Sequence, residues 1–158
     1  MVASSKVTTE KFNKENERHL QAVKYIEKHL RPIDKKELQG AYTSVTKCAI
    51  HEFCDNFLAF GEKGEPIAIY GIVKYPIDGR HAVWMVATTE IKNYKKELIT
   101  IGFKEIRRFT KEYGPITNYI SIDNNESRRW LKKAGAVFGT PFNENSITWQ
   151  QFVIRRNE

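Results

Sequence analysis

The chain has 158 residues, enough to bury a real core in a single domain over 1–158, and its 41% apolar and 12% aromatic content excludes a disordered or fibrous chain. A formal charge of +7 favours polyanions: nucleic acid, an acidic partner, or the phosphates of a nucleotide-like cofactor. No run of about 18 apolar residues occurs and the N-terminus is polar, so neither membrane insertion nor secretion is expected, and the cytoplasm is the expected compartment.

Residues 1–16 read as a polar arm with one short candidate edge strand at Lys6–Thr9. Leu20, Val23, Ile26 and Leu30 then recur at helical spacing until Pro32 ends the pattern. The stretch DKKEL has the form of a capping box, with Asp34 accepting backbone amides at a second helix start and Glu37 reaching back; helical pieces continue toward Glu52. Within them Cys48, His51 and Cys54 spell C-x2-H-x2-C. A structural zinc site needs four ligands and no fourth lies nearby, so these read as reduced thiols with no metal.

From Asp55 the period changes to that of strands. DNFLAFG, PIAIYGIVKY and RHAVWMVATT, separated by EKGE and PIDG, predict an antiparallel meander. A long helix follows from Asn93 to Tyr113, with Ile99, Gly102, Phe103, Ile106 and Phe109 on one face, and Gly102 is expected to permit close approach to the sheet. ITNYISI is a buried strand, parallel to His81–Thr88 because a long crossover joins them. In the helix after it, Ser127, Trp130, Leu131 and Ala134 form the buried stripe, Asp123 or Asn124 caps the start and Gly135 the end. AVFG and ITWQQFVIRR close the chain as strands, giving an α/β (α+β) fold with a mixed, mostly antiparallel sheet of six to seven strands flanked by helices.

This order of elements, with Asn124, Ser127, Trp130, Leu131 and Gly135 at their spacing, resembles the closing motif of the GNAT superfamily of acetyl-CoA-dependent N-acetyltransferases. More narrowly, LRPIDKKEL, GEPIAIYGI, VWMVATT, ITNYISIDNNESRRWLKKAGAVF and WQQFVIRR resemble, over Ser5 to Arg156, the phage family named for internal virion protein A of short-tailed phages.

The superfamily resemblance implies a cofactor held along Val86, Ala87 and Thr88 of a splayed strand, by a turn at Lys92, Lys95 and Lys96, and by Asn124 and Trp130. Two departures point to a degenerate acetyl-CoA site. The turn TTEIKNYKKEL has no glycine, so side chains are expected to obstruct a phosphate cradle, and Leu131 stands where a tyrosine often protonates the leaving thiolate. Tyr119 can substitute as the acid, although a tyrosine in such a strand is more often core. Glu52, Asp55 and Glu90 are the candidate bases, each equally readable as a cap or a solvated charge.

The resemblance therefore implies an internal virion or morphogenesis protein, resident in the host cytoplasm or virion interior, with other virion proteins or a host protein as partners. Two alternatives stand beside it. One is a working N-acetyltransferase acting on a protein or small amine. The other is a nucleic-acid-binding domain using Arg128, Arg129, Lys132 and Lys133 with Lys104, Arg107, Arg108 and Lys111, for which a solvated helix face is the plainer reading.

Overall fold

The computed structural model describes residues 6–155, so the first five residues of the polar arm and the last three of the chain lie outside the described residues. The chain runs β1 (Thr8–Lys11), α1 (Glu17–Lys28), α2 (Pro32–Gly40), α3 (Val45–Ala49), β2 (Cys54–Phe60), β3 (Pro66–Val73), β4 (His81–Ala87), a 3-10 turn (Thr89–Asn93), α4 (Lys95–Tyr113), β5 (Ile116–Ser121), α5 (Asn125–Lys133), β6 (Val137–Phe138), β7 (Phe142–Glu144) and β8 (Ile147–Ile154). The strands form one sheet in the order β1-β2-β3-β4-β5-β8-β6, with β7 also paired to β8. All pairings are antiparallel except β4 with β5, which the α4 crossover makes parallel as expected.

Local chemistry sets the boundaries. Asn16 caps α1 by accepting from the His19 amide, Ser44 caps α3 through the Lys47 amide, and Asn124 caps α5 through Ser127. Gly135 leaves α5 at φ 101°, a conformation costly for any residue with a Cβ. The edge strand forms two residues later than Lys6–Thr9, where its residues pair with Phe57–Phe60. The sheet reaches eight strands because the turn at Asn145 and Ser146, both at positive φ, folds Phe142–Glu144 back onto β8.

Alternation along the meander serves both faces. Leu58, Phe60, Ile69 and Val86 pack beneath Ala22, Val23 and Ile26 of α1 and Val45 and Ala49 of α3. On the other face Ile72, Ile116, Ile120, Phe152 and Ile154 meet Phe109 of α4 and Leu131 of α5. Gly102 does not serve the sheet as expected: a Cβ there would lie 3.4 Å from the Trp130 ring, so the glycine admits the indole of α5. Trp130 is half-buried rather than buried, and Leu131 takes the core position.

A buried polar group ties α3 to the sheet. Asn56 donates from Nδ2 to the carbonyls of Cys48 (2.9 Å) and Ala49 (3.0 Å), and its Oδ1 accepts from Trp84 Nε1 (2.9 Å). Asn56 and Trp84 are cross-strand neighbours of Gly71 on either side, and the missing side chain lets the indole reach over it. Cys48 and Cys54 are free, half-buried thiols pushed up by burial, and among the described residues no cluster of His, Cys, Asp and Glu could hold a metal. Gly71→Ala is expected to cost about 1–3 kcal/mol, because the new methyl displaces this network; urea unfolding should show a lower midpoint with an unchanged slope.

Candidate ligand cleft between β4 and β5

Strands β4 and β5 pair at only two positions, His81 with Ile116 and Ala82 with Thr117, and then diverge. A cleft of about 840 Å³ opens between them, and all three tryptophans, Trp84, Trp130 and Trp149, line it. Along β4, alternate residues turn their peptide edges toward β5. His81 N–H donates to the Pro115 carbonyl (3.0 Å), and the Val83 carbonyl accepts from Asn118 Nδ2. Ala87 is held by α2: its N–H donates to Asp34 Oδ2 (3.0 Å) and its carbonyl accepts from Arg31 N–H (3.0 Å). By the same alternation Met85 turns its peptide edge into the gap.

Asp34 and Glu37 reach the gap because the helix starts earlier than a capping box at DKKEL requires. Pro32 occupies the first helical position, where its fixed φ suits the start, and Arg31 is the N-cap with no side-chain cap bond. Asp34 and Glu37 then lie one turn apart on the face toward the sheet. Asp34 accepts from Arg31 Nε (2.7 Å) and Nη2 (3.1 Å), while Glu37 accepts from Asn124 Nδ2 (2.7 Å) and from the Ser121 amide (3.4 Å). Helix α2 is thus a crosspiece resting on the ends of both strands. Burial pushes the Asp34 carboxyl up despite Arg31, and it pushes Glu37 up to about 7, with Asp34 adding to the effect.

Several amides of the turn after β4 are bonded within the chain. Thr89 N–H donates to the His29 carbonyl (3.3 Å), Glu90 to Thr88 Oγ1 (3.2 Å), Ile91 to the Thr88 carbonyl (3.1 Å) and Tyr94 to the Ile91 carbonyl (2.9 Å). The side chains of Lys92, Lys95 and Lys96 are exposed rather than folded over the turn, and Lys95 Nζ pairs with Glu126 of α5 at 2.8 Å. Four amides of the turn are thereby bonded within the chain, while α4 begins at Lys95 with no side-chain cap bond from Tyr94.

Of the other candidates, Val86, Tyr119, Asn124 and Trp130 line the cleft with Lys95, whereas Ala87 and Thr88 are buried behind it. Tyr119 is not core; it is half-exposed and meets Phe142 edge-on at 5.7 Å. Glu52 is exposed in the turn before β2, Asp55 accepts from the Tyr113 hydroxyl (3.1 Å), and Glu90 accepts from Asn93 (3.4 Å); none is among the cleft-lining residues. Glu37, which lines the cleft with Asp34, Glu105, Glu126 and Glu144, was legible only as a cap. Arg128 folds back from the basic face, donating to Gln150 Oε1 (2.9 Å) and the Ile122 carbonyl (3.3 Å), which leaves Arg129, Lys132 and Lys133 exposed.

The fold is that of the GNAT acetyltransferases. The chain superposes on spermidine/spermine N-acetyltransferase SpeG from Vibrio cholerae with a TM-score of 0.61, at 12% identity over 95% of this chain and 92% of that one. It superposes on the Campylobacter jejuni N-acetyltransferase PseH with a TM-score of 0.59, at 12% identity over 96% and 99%. Residues 66–143 match the family described as "Bacteriophage T7, probable scaffold protein Gp13", a span that runs from β3 into β7 and contains both β4 and β5. No curated protein matches the chain in sequence.

Arg31→Met leaves Asp34 buried without its cation and is expected to cost roughly 3–5 kcal/mol at pH 7. Without the guanidinium the folded-state pKa of Asp34 rises further above its unfolded value, so the cost is full above that folded pKa and shrinks as pH falls and the carboxyl takes a proton. Urea unfolding at pH 7 and pH 5 measures the difference; equal costs would place Asp34 in water-like surroundings.

Proposed function

We propose that the chain is a phage morphogenesis protein that uses an acetyltransferase-like fold as a binding scaffold, with a degenerate acetyl-CoA site. The observation that carries this reading is the capture of both peptide groups of Ala87 by Arg31 and Asp34. An extended ligand lying along β4 needs those groups, and the chain has bonded them internally. The match to a phage scaffold-protein family over residues 66–143 supports the same role. In it the partners are other virion proteins or a host protein, and the site of action is the host cytoplasm or the virion interior. The internal virion protein A resemblance belongs to this proposal.

A second reading, an N-acetyltransferase, is favoured by one observation. Glu37 lies in an open cleft with its pKa pushed up to about 7, the range that suits a group taking a proton from an amine.

Calorimetry with acetyl-CoA separates the two. The scaffold reading expects a dissociation constant above about 1 mM, less than roughly 4 kcal/mol of binding free energy. A micromolar constant that worsens on replacing Lys92, Lys95 and Lys96 with alanine would establish the enzyme instead.

A further inference from the structure

The positive charge of the chain is concentrated in two helices. α4 and α5 hold ten lysines and arginines against four glutamates, whereas the remaining residues carry sixteen cations against fifteen acids. The two helices lie side by side on one face of the sheet. Lys95 and Glu126 join their first turns at 2.8 Å, Phe103 meets Trp130 edge-on at 6.1 Å, and Phe109 and Leu131 pack into one cluster. Their glutamates are matched or set back: Glu105 and Glu112 pair with Arg108, Glu126 pairs with Lys95, and Glu97 is half-buried. Arg108 lies over the Phe57 and Phe109 rings and Arg128 bonds Gln150, so both are engaged within the chain.

What remains outside is a stripe of one sign. Lys96, Lys104, Arg107 and Lys111 fall at i, i+8, i+11 and i+15, which places them within about 80° of arc on α4, in a row roughly 22 Å long. Arg129 and Lys133 lie one turn apart on α5. All six are exposed, and none forms an ion pair among the described residues. Like charges at i, i+3 and i, i+4 repel, and an exposed helix face ordinarily mixes both signs, so this face weakens the free helices. A row of phosphates laid along it turns that repulsion into attraction. We propose that the outer face of α4 and α5 binds the phosphate backbone of duplex DNA without regard to sequence. The row spans about two-thirds of a duplex turn of roughly 34 Å. It carries no amide or carboxylate side chain to read base edges, and Thr100 within it turns its hydroxyl back onto the Lys96 carbonyl. Phe103 and Trp130 are half-buried against each other, so they offer no stacking platform for unpaired bases.

Fluorescence anisotropy with a labelled mixed-sequence duplex of about 20 bp, roughly two turns, tests this over a salt series. Affinity should fall with a log–log salt slope of about −4 to −5, close to the limit that six phosphate contacts set. Reversing Lys104, Arg107 and Lys111 to glutamate should weaken binding at least tenfold at about 0.1 M salt and flatten the slope by about three units. The control reverses Lys24, Lys28 and Lys35, exposed on α1 and α2, which changes net charge equally and should leave the slope unaltered. Far-UV circular dichroism checks folding; if the triple reversal unfolds the chain, Arg129→Ala with Lys133→Ala carries the same test at about two units of slope. Four results overturn the proposal: no duplex binding at low salt, an equal loss in the control, tighter binding of a single strand of the same length, or polyglutamate bound in preference to the duplex. The first removes the surface, the second leaves only net charge, and the last two assign it to other partners. No coenzyme enters the measurement, so its outcome is separate from the acetyl-CoA expectation.

Discussion

Two parallel rungs join β4 to β5, and beyond Ala82 and Thr117 the strands part. A strand that loses its neighbour inside a protein keeps its peptide groups, and each must find another partner or carry the penalty of a buried, unbonded dipole. The rest of the cleft follows from how this chain meets that demand. Asn118 reaches across from β5 to the Val83 carbonyl, and the start of α2 brings an amide and a carboxylate to Ala87. Each supplied partner is one the gap no longer offers to a ligand, which leaves the peptide edge of Met85 between two spans.

Bringing α2 to the gap has electrostatic costs that shape its surroundings. A carboxylate withdrawn from water is tolerated when a cation and backbone donors replace the hydration, and Asp34 has both. Glu37 accepts from two neutral donors, and its burial pushes its pKa up to about 7. The same economy appears at α3, where Asn56 alone satisfies two carbonyls at its end and the Trp84 indole. In both places a helix is fixed to the sheet by a few directed polar bonds, with the apolar clusters supplying the bulk of the contact.

Much of the architecture was legible because it depends on patterns that survive without tertiary context. Period-two runs bounded by EKGE and PIDG mark β2 to β4, the length of α4 forces the parallel pairing, and Asn124 and Gly135 bracket α5. The misreadings share a cause: in each, a local signal had two physically sound uses. Asp34 and Glu37 fit a capping box by spacing, but Pro32 had already started the helix, freeing both carboxylates to turn inward. Gly102 fits close packing, yet the neighbour is Trp130 from a helix about thirty residues on, a contact no periodicity encodes. Strand β7 rests on the positive φ of Asn145 and Ser146, not on its own residues, and Phe142–Glu144 carries no strand pattern long enough to see.

The glycine-free turn shows why residue type and geometry have to be taken together. Side chains at Lys92, Lys95 and Lys96 are expected to block an approaching phosphate; all three are exposed, and Lys95 pairs with Glu126 of α5. The winding of the turn occupies several of its amides: Thr88 caps it through Oγ1 and its own carbonyl, and Ile91 receives the Tyr94 amide. Glycines at such a turn do more than clear space, since they let the backbone adopt conformations in which successive amides point outward together. The 3-10 winding seen here instead turns the Ile91 and Tyr94 amides back onto carbonyls of the same segment. Restoring glycine at one position would remove a Cβ without unwinding the turn, so the capacity to hold an anion there depends on the conformation of the whole segment from Thr88 to Tyr94.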